Sequence, residues 1–317
     1  MGALSASGLI KPKALKAGAR IAIVSPASTP RPERVGKGMA RIRSMGYEPV
    51  LFPHALDRGP LYYAGTVEER VSDLHAAFAN TSIDGILCTR GGWGSAELLP
   101  LLDADLIRAN AKPFMGYSDH TSLHIWLREF AGMVTFHAPM CAADFEREDD
   151  VDVASWNHAV SGSEAWSLGA ADGLRVLQPG VAEGTLDGGC LSIYVESLGT
   201  PYAAQTPEGI LFLEDIGVKP YQWDRQLLHL RYAGMLDGVK GIVFGDMRQC
   251  VSPEENALLE SAILHALQDF AGPVAIGLRS GHVDRANVTL PLGVMARLDL
   301  SDAETPRLNF LEAAVSS

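Results

Sequence analysis

The stretch Lys112–Gly132, KPFMGYSDHTSLHIWLREFAG, changes character at its middle, and how that break is read decides the fold. From Lys112 to Tyr117 the residues have the apolar look of a short buried strand, bounded upstream by Asn110. From Asp119 onward, Leu123, Ile125, Trp126, Leu127 and Phe130 recur at helical spacing. Ser118 therefore lies where a strand turns directly into a helix. Its side chain is directed to the top of a sheet, where an α/β enzyme carries a nucleophile.

A plainer reading fits the same residues. Ser118 or Asp119 at a helix start can simply accept the orphan N–H groups of the first turn. The nucleophile-elbow pattern is half met: Gly116 supplies the small residue two before the serine, but His120 stands where a second glycine is usual. Both readings stay open on this stretch alone.

Outward from it, the chain repeats the same unit. Arg20–Ser28, RIAIVSPAS, reads as a buried strand running into a Pro/Ser loop, and RVGKGMARIRSMGY as a helix ending at Gly46. EPVLFPH is a second strand. TVEERVSDLHAAFAN carries Val67, Val71, Leu74 and Phe78 at helical spacing, and IDGILCTRGGWGS returns to a strand ending in a glycine loop. MVTFHAP adds a strand ending at His137. Strand and helix in alternation imply a parallel sheet covered on both faces.

At 317 residues and 33.9 kDa, with 47% hydrophobic and 20% charged residues and a mean hydropathy of +0.08, the chain is globular and long enough for two domains. The expected boundaries are 1–145 for the α/β domain, 146–180 for a connecting segment and 181–317 for a smaller second domain. Periodicity fades after Cys141, and the acidic run in DFEREDDVDVASWNHAVSG reads as a solvated face rather than a metal site. The second half mixes short strands, glycine turns and two helices, an α+β or barrel-like pattern.

A net charge of −12 and a pI near 5.2 argue against nucleic acid, which demands a basic face. Cys88, Cys141, Cys190 and Cys250 form no CxxC pair, so neither a zinc ribbon nor a disulfide framework is indicated. The first residues lack the unbroken apolar core of a signal peptide, and no segment approaches the roughly 18 apolar residues of a membrane span. A cytoplasmic protein with reduced thiols is expected.

A hydrolytic serine needs a base, a group to orient that base, and N–H donors for the oxyanion. Glu214 and Asp215 directly follow the apolar run Leu211–Leu213, where a carboxylate emerges at a sheet edge; either is equally readable as a helix-start carboxylate. His282 sits in a glycine-flanked loop, with His137 as the rival base. Gly91, Gly92 and Gly94 of CTRGGWGS can point N–H groups at an anion, but they match no phosphate-loop spacing.

Together, in order, IAIVSPAS, TRGGWG, FMGYSDHTSL, TFHAPM, GTLDGGCLS, GTPY, LFLEDI with PYQWDRQL, and GHVDRANVTLPLG resemble the LD-carboxypeptidase family of serine peptidases, from about Ile21 to Leu300. The resemblance implies a flavodoxin-like parallel-sheet N-terminal domain, a smaller β-rich α+β C-terminal domain, and a triad of Ser118, Glu214 and His282. The oxyanion donors it implies are the backbone N–H groups of Gly92 and Asp119. It further implies release of the terminal D-Ala from murein tetrapeptide in cell-wall recycling, a homodimer, and no metal or cofactor.

Three departures stand out. Cys190 replaces an asparagine common in that family, Val218 and Lys219 stand where an acid is frequent, and Trp93 replaces a more usual tyrosine. Microcin-immunity-type peptidases are similar too and cleave aminoacyl-nucleotide amides; Trp156 and Trp166 are available to stack on a base. A non-catalytic protein binding a small peptide is the third reading.

Overall fold

The computed structural model describes residues 8–317. They form two compact units. The first comprises the chain up to Ser163 with Arg285–Gly293 and Ala313–Ser317, and the second comprises Glu164–Asp284 with Val294–Glu312.

The first unit begins with β1 (Arg20–Val24), α1 (Pro32–Ser44), β2 (Glu48–Leu51), α2 (Val67–Ala79) and β3 (Gly85–Cys88). It continues with α3 (Ala104–Ala109), β4 (Phe114–Gly116), α4 (Thr121–Trp126), β5 (Thr135–His137) and α5 (Val153–Ser161). Its strands lie in the order β2-β1-β3-β4-β5, all parallel, which is the flavodoxin-like order. A sixth strand, Leu290–Leu292, pairs antiparallel with β5 and closes that edge.

The local reasons are ordinary. Every residue of β3 and all of β1 but Arg20 are buried, as befits strands covered on both faces. Pro32 opens α1, and Thr66 and Glu69 close a reciprocal capping box at the start of α2.

The second unit contains β6 (Trp166–Gly169), β7 (Arg175–Gln178), β8 (Val181–Cys190), α6 (Leu191–Glu196), β9 (Gly209–Glu214) and α7 (Pro220–Tyr232). Then follow β10 (Val239–Gly245), α8 (Asn256–Ala266) and β11 (Val274–Leu278); past the Leu290–Leu292 strand, which is β12, come β13 (Met295–Asp299) and β14 (Arg307–Phe310). The sheet is open, in the order β6-β14-β13-β8-β9-β10-β11-β7. Strands β8 to β11 are mutually parallel and joined by α6, α7 and α8, while the outer pairings are antiparallel. An α/β centre with antiparallel wings is thus what the short strands and glycine turns build.

The acidic run after Cys141 is only partly a wet face. Glu148 and Asp149 are exposed. Asp144 is buried, accepting the Met140 N–H at 2.8 Å and the Asn287 side-chain amide at 3.0 Å. Glu146 pairs with Arg34 at 2.9 Å. The run therefore helps attach the Arg285–Gly293 segment to the first unit.

Candidate active site

Ser118 occupies the turn between β4 and α4, and its backbone is in the left-handed region at φ +65°. Only a few per cent of non-glycine residues adopt it, at a cost on the order of 1 kcal/mol. The N-cap residues of the 3₁₀ turn Ser118–His120 and of α4, Tyr117 and His120, make no side-chain cap hydrogen bond, and the Asp119 carboxylate accepts the N–H of Ser95 at 2.8 Å. Asp119 thus caps the 3₁₀ helix Ser95–Leu101 rather than its own turn.

His120 completes the elbow where a glycine is usual. It is fully buried with Nδ1 3.1 Å from the Tyr117 carbonyl, and a Cβ on Gly116 would come within 2.9 Å of that nitrogen. His124, one turn on, donates from Nε2 to the Gly116 carbonyl at 2.8 Å. Burial pushes both imidazoles down to about 3, so both are neutral props for the strand end.

The glycine loop after β3 packs directly on this turn. A Cβ on Gly91 would lie 2.7 Å from Ser118 Cβ, 2.8 Å from its Oγ and 3.4 Å from the Asp119 nitrogen. Gly91 thus brings main chain against the serine and the Asp119 N–H, as an oxyanion-binding loop requires. Gly92 has φ +115°, a conformation strained for any other residue.

Arg70, from α2, holds the far side of the loop, and sequence reasoning missed it. Only 2% exposed, its guanidinium donates to the Pro26 carbonyl at 2.9 Å, the Gly94 carbonyl at 2.8 Å and Glu97 Oε2 at 2.6 Å. The signal was present: Arg70 follows Val67 by three residues, which puts a charge on the apolar face of its helix. On the other side, the Trp93 N–H donates to Ser28 Oγ at 3.1 Å.

In the second unit, β9 ends at Glu214, which is 1% exposed. Its Oε2 accepts the His282 main-chain N–H at 2.9 Å and lies 2.8 Å from His282 Nδ1. Gly281 makes this contact possible: at φ +92°, a Cβ there would lie 2.4 Å from Glu214 Cδ and 2.5 Å from Oε2. The carboxylate fixes the ring proton on Nδ1, leaving Nε2 as the basic nitrogen.

Asp215 has a different task. It accepts the Ser192 N–H at 2.8 Å and its hydroxyl at 2.6 Å, tying β9 to the start of α6. Burial, then the neighbouring Glu214 charge, raises its carboxyl above the ordinary value.

The remaining candidates sort by burial. His137 lies wholly inside the first sheet at 0% exposure, which removes it from contact with a substrate. Trp156 is also fully buried, edge-on to Phe145, so it is not available to stack on a base. Trp166 stacks on Phe310 with ring centroids 4.1 Å apart. Cys190 is buried beside Glu214 at the end of β8, and all four cysteines are buried and unbridged. Val218 is buried and Lys219 exposed at the start of α7.

Ser118, Asp119 and Gly92 thus belong to the first unit, and Glu214 and His282 to the second. No helix is long and apolar enough to cross a membrane among the described residues.

The chain has counterparts among known proteins. The model of the LD-carboxypeptidase N-terminal domain matches residues 21–138, and that of the C-terminal domain matches residues 183–298. A Bacillus subtilis protein named Probable murein peptide carboxypeptidase is 34% identical over 96% of this chain and 95% of its own length. The crystal structure of muramoyltetrapeptide carboxypeptidase from Oxalobacter formigenes is 30% identical, covers 93% of this chain and 99% of its own, and superposes with a TM-score of 0.81. The microcin C7 self immunity protein MccF, solved with aspartyl sulfamoyl adenosine, gives a TM-score of 0.88 over 97% of this chain and 100% of its own; at 23% identity it shares the fold. Since both domain models match, in order, around the serine turn and the glutamate–histidine pair, the chain belongs to the LD-carboxypeptidase family.

Proposed function

We propose that this protein is a serine LD-carboxypeptidase that releases the terminal D-Ala from murein tetrapeptide during cell-wall recycling. The observation that carries the reading is the Glu214–His282 pair at 2.8 Å, which leaves Nε2 of the ring as a base. The strained, glycine-backed turn at Ser118 supports it.

In this mechanism Ser118 Oγ attacks the amide carbonyl between an L-configured centre and D-Ala, and His282 Nε2 takes its proton. The N–H groups of Gly92 and Asp119 stabilise the tetrahedral oxyanion. Collapse expels D-Ala, whose amine takes the proton from His282. Water, deprotonated by the same imidazole, then hydrolyses the acyl-enzyme. Glu214 holds the ring orientation and stabilises the imidazolium throughout.

The test is release of free D-alanine from L-Ala-γ-D-Glu-meso-diaminopimelate-D-Ala. Ser118→Ala should lower kcat by about 10⁴-fold to 10⁶-fold with little change in Tm. A variant retaining more than about a tenth of the wild-type rate, an effect under roughly 1.4 kcal/mol, would overturn the serine mechanism.

A further inference from the structure

The first sheet reverses its growth between β1 and β3: the chain leaves β1 to place β2 on one side, then builds β3, β4 and β5 on the other. The loops at the carboxyl ends of two such strands diverge and leave a crevice. Here it is a cleft of about 570 Å³, lined by Ser28 and Arg31 from the loop after β1, Arg58 and Tyr62 from the connection after β2, and Arg90 and Trp93 from the loop after β3.

The charge in this cleft is net positive. Among the described residues the guanidinium groups of Arg31, Arg58 and Arg90 make no ion pair or hydrogen bond, whereas nearby Arg34 pairs with Glu146 at 2.9 Å and Arg70 with Glu97 at 2.6 Å. Glu33 is the single acid in the lining. The 13-residue helix α1 also begins here, at Pro32, adding the positive end of its dipole. Burial, then the charges of Arg34 and Arg31, push the Arg90 guanidinium below its ordinary value, so an anion would be welcomed there.

Arg90 is also close to the reacting centre. It immediately precedes Gly91, which backs onto Ser118, and its Nη2 lies 3.5 Å from where a Cβ on Gly92 would be. In this substrate the free carboxylate is about three bonds from the scissile carbonyl carbon, whereas the diaminopimelate and glutamate carboxylates are about six and seven bonds from it.

We propose that this cleft binds the terminal carboxylate of the peptide, with Arg90 as the direct contact and Arg31 and Arg58 supplying the surrounding positive field. The inference rests on the serine carboxypeptidase reading and names what confines that reading to chain ends. A planar guanidinium meets a carboxylate with two parallel hydrogen bonds, and an uncharged amide cannot replace that pairing.

The experiment compares the tetrapeptide with its D-alaninamide counterpart, both as substrates of the wild type and Arg90→Ala and as ligands in calorimetry of Ser118→Ala and Ser118→Ala/Arg90→Ala. The wild type should prefer the free acid by about tenfold to a hundredfold in kcat/KM, and Ser118→Ala should show the same preference in Kd. Arg90→Ala should erase both preferences, losing far more on the acid than on the amide, and Arg90→Lys should restore part of them. Equal losses on acid and amide would overturn the proposal. So would a loss that follows the side-chain carboxylate of the diaminopimelate, read by exchanging that residue for lysine, or tighter binding of AMP than of the tetrapeptide acid, abolished by Arg90→Ala. Absence of D-alanine release by the wild type would defeat the underlying reading alone, since the calorimetric ratio still decides the role of Arg90.

Discussion

One carboxylate oxygen, Oε2 of Glu214, receives both the main-chain N–H of His282 at 2.9 Å and the Nδ1–H of its ring at 2.8 Å. The double attachment fixes where the residue sits and which nitrogen carries the proton. An imidazole held this way presents Nε2 as an acceptor, the form a general base needs.

The adjacent acids should separate cleanly. Glu214→Gln can hold the ring in the opposite tautomer, so kcat for D-alanine release should fall by roughly two to four orders of magnitude. Asp215→Asn weakens the tie to Ser192 and should cost about 1–3 kcal/mol of stability with a smaller effect on kcat. Steady-state kinetics and urea unfolding of both variants give the ranking, and the opposite order would make Asp215 the orienting acid.

Gly281→Ala probes the same pair through the backbone. The new methyl would lie 2.4 Å from Glu214 Cδ at a φ of +92°, so the loop must move. A loss of about 1–3 kcal/mol in stability is expected, with kcat falling alongside it as the hydrogen bond to Nδ1 lengthens. Unchanged kcat in a folded variant would show that activity does not depend on this contact.

The left-handed backbone at Ser118 predicts a difference in stability between two variants. Ser118→Gly relieves the strain at φ +65° and Ser118→Ala does not. The glycine variant should be the more stable by about 1 kcal/mol in denaturant unfolding, because glycine reaches this region without a Cβ clash. Equal stability would mean that the turn carries no strain worth relieving.

His120 and His124, both held down to about 3 by burial, link stability to pH. The unfolded chain takes up protons near the ordinary histidine value of about 6.5 while the folded chain refuses them. Stability is therefore fully present above that value and declines as pH falls from it toward 3, by up to about 1.4 kcal/mol per pH unit for each ring. Asp119 and Asp215, raised by burial, act in the opposite direction, so the contribution of a single ring is read as the difference between wild type and variant in urea midpoints at about pH 7 and pH 5. His124→Gln, which can still donate to the Gly116 carbonyl, should flatten the slope by up to about 1.4 kcal/mol per pH unit; a slope unaltered by it would place the proton linkage elsewhere.

Local pattern was enough for much of this protein. The apolar runs of β1 and β3, the amphipathic spacing of α2 and the break at Ser118 involve residues near one another in the chain, where backbone geometry translates period directly into strand or helix. The parallel sheet of the first unit and the candidacy of Ser118, Glu214 and His282 were accordingly readable from the residues and the family resemblance they carry. The rest was settled by contacts between residues far apart in sequence, which no local period encodes. Leu290–Leu292 completes a sheet begun at Arg20, α5, β6 and β7 form within a stretch whose periodicity had faded, and buried Asp144 was indistinguishable from its wet neighbours. Only packing decided that Asp215 is taken up by Ser192, that Arg70 braces the glycine loop from inside a helix, and that Trp156 and His137 are sealed in the core. Such groups take their chemistry from what surrounds them, because burial and a fixed hydrogen-bond partner set a side chain's role, and both are properties of the folded chain alone.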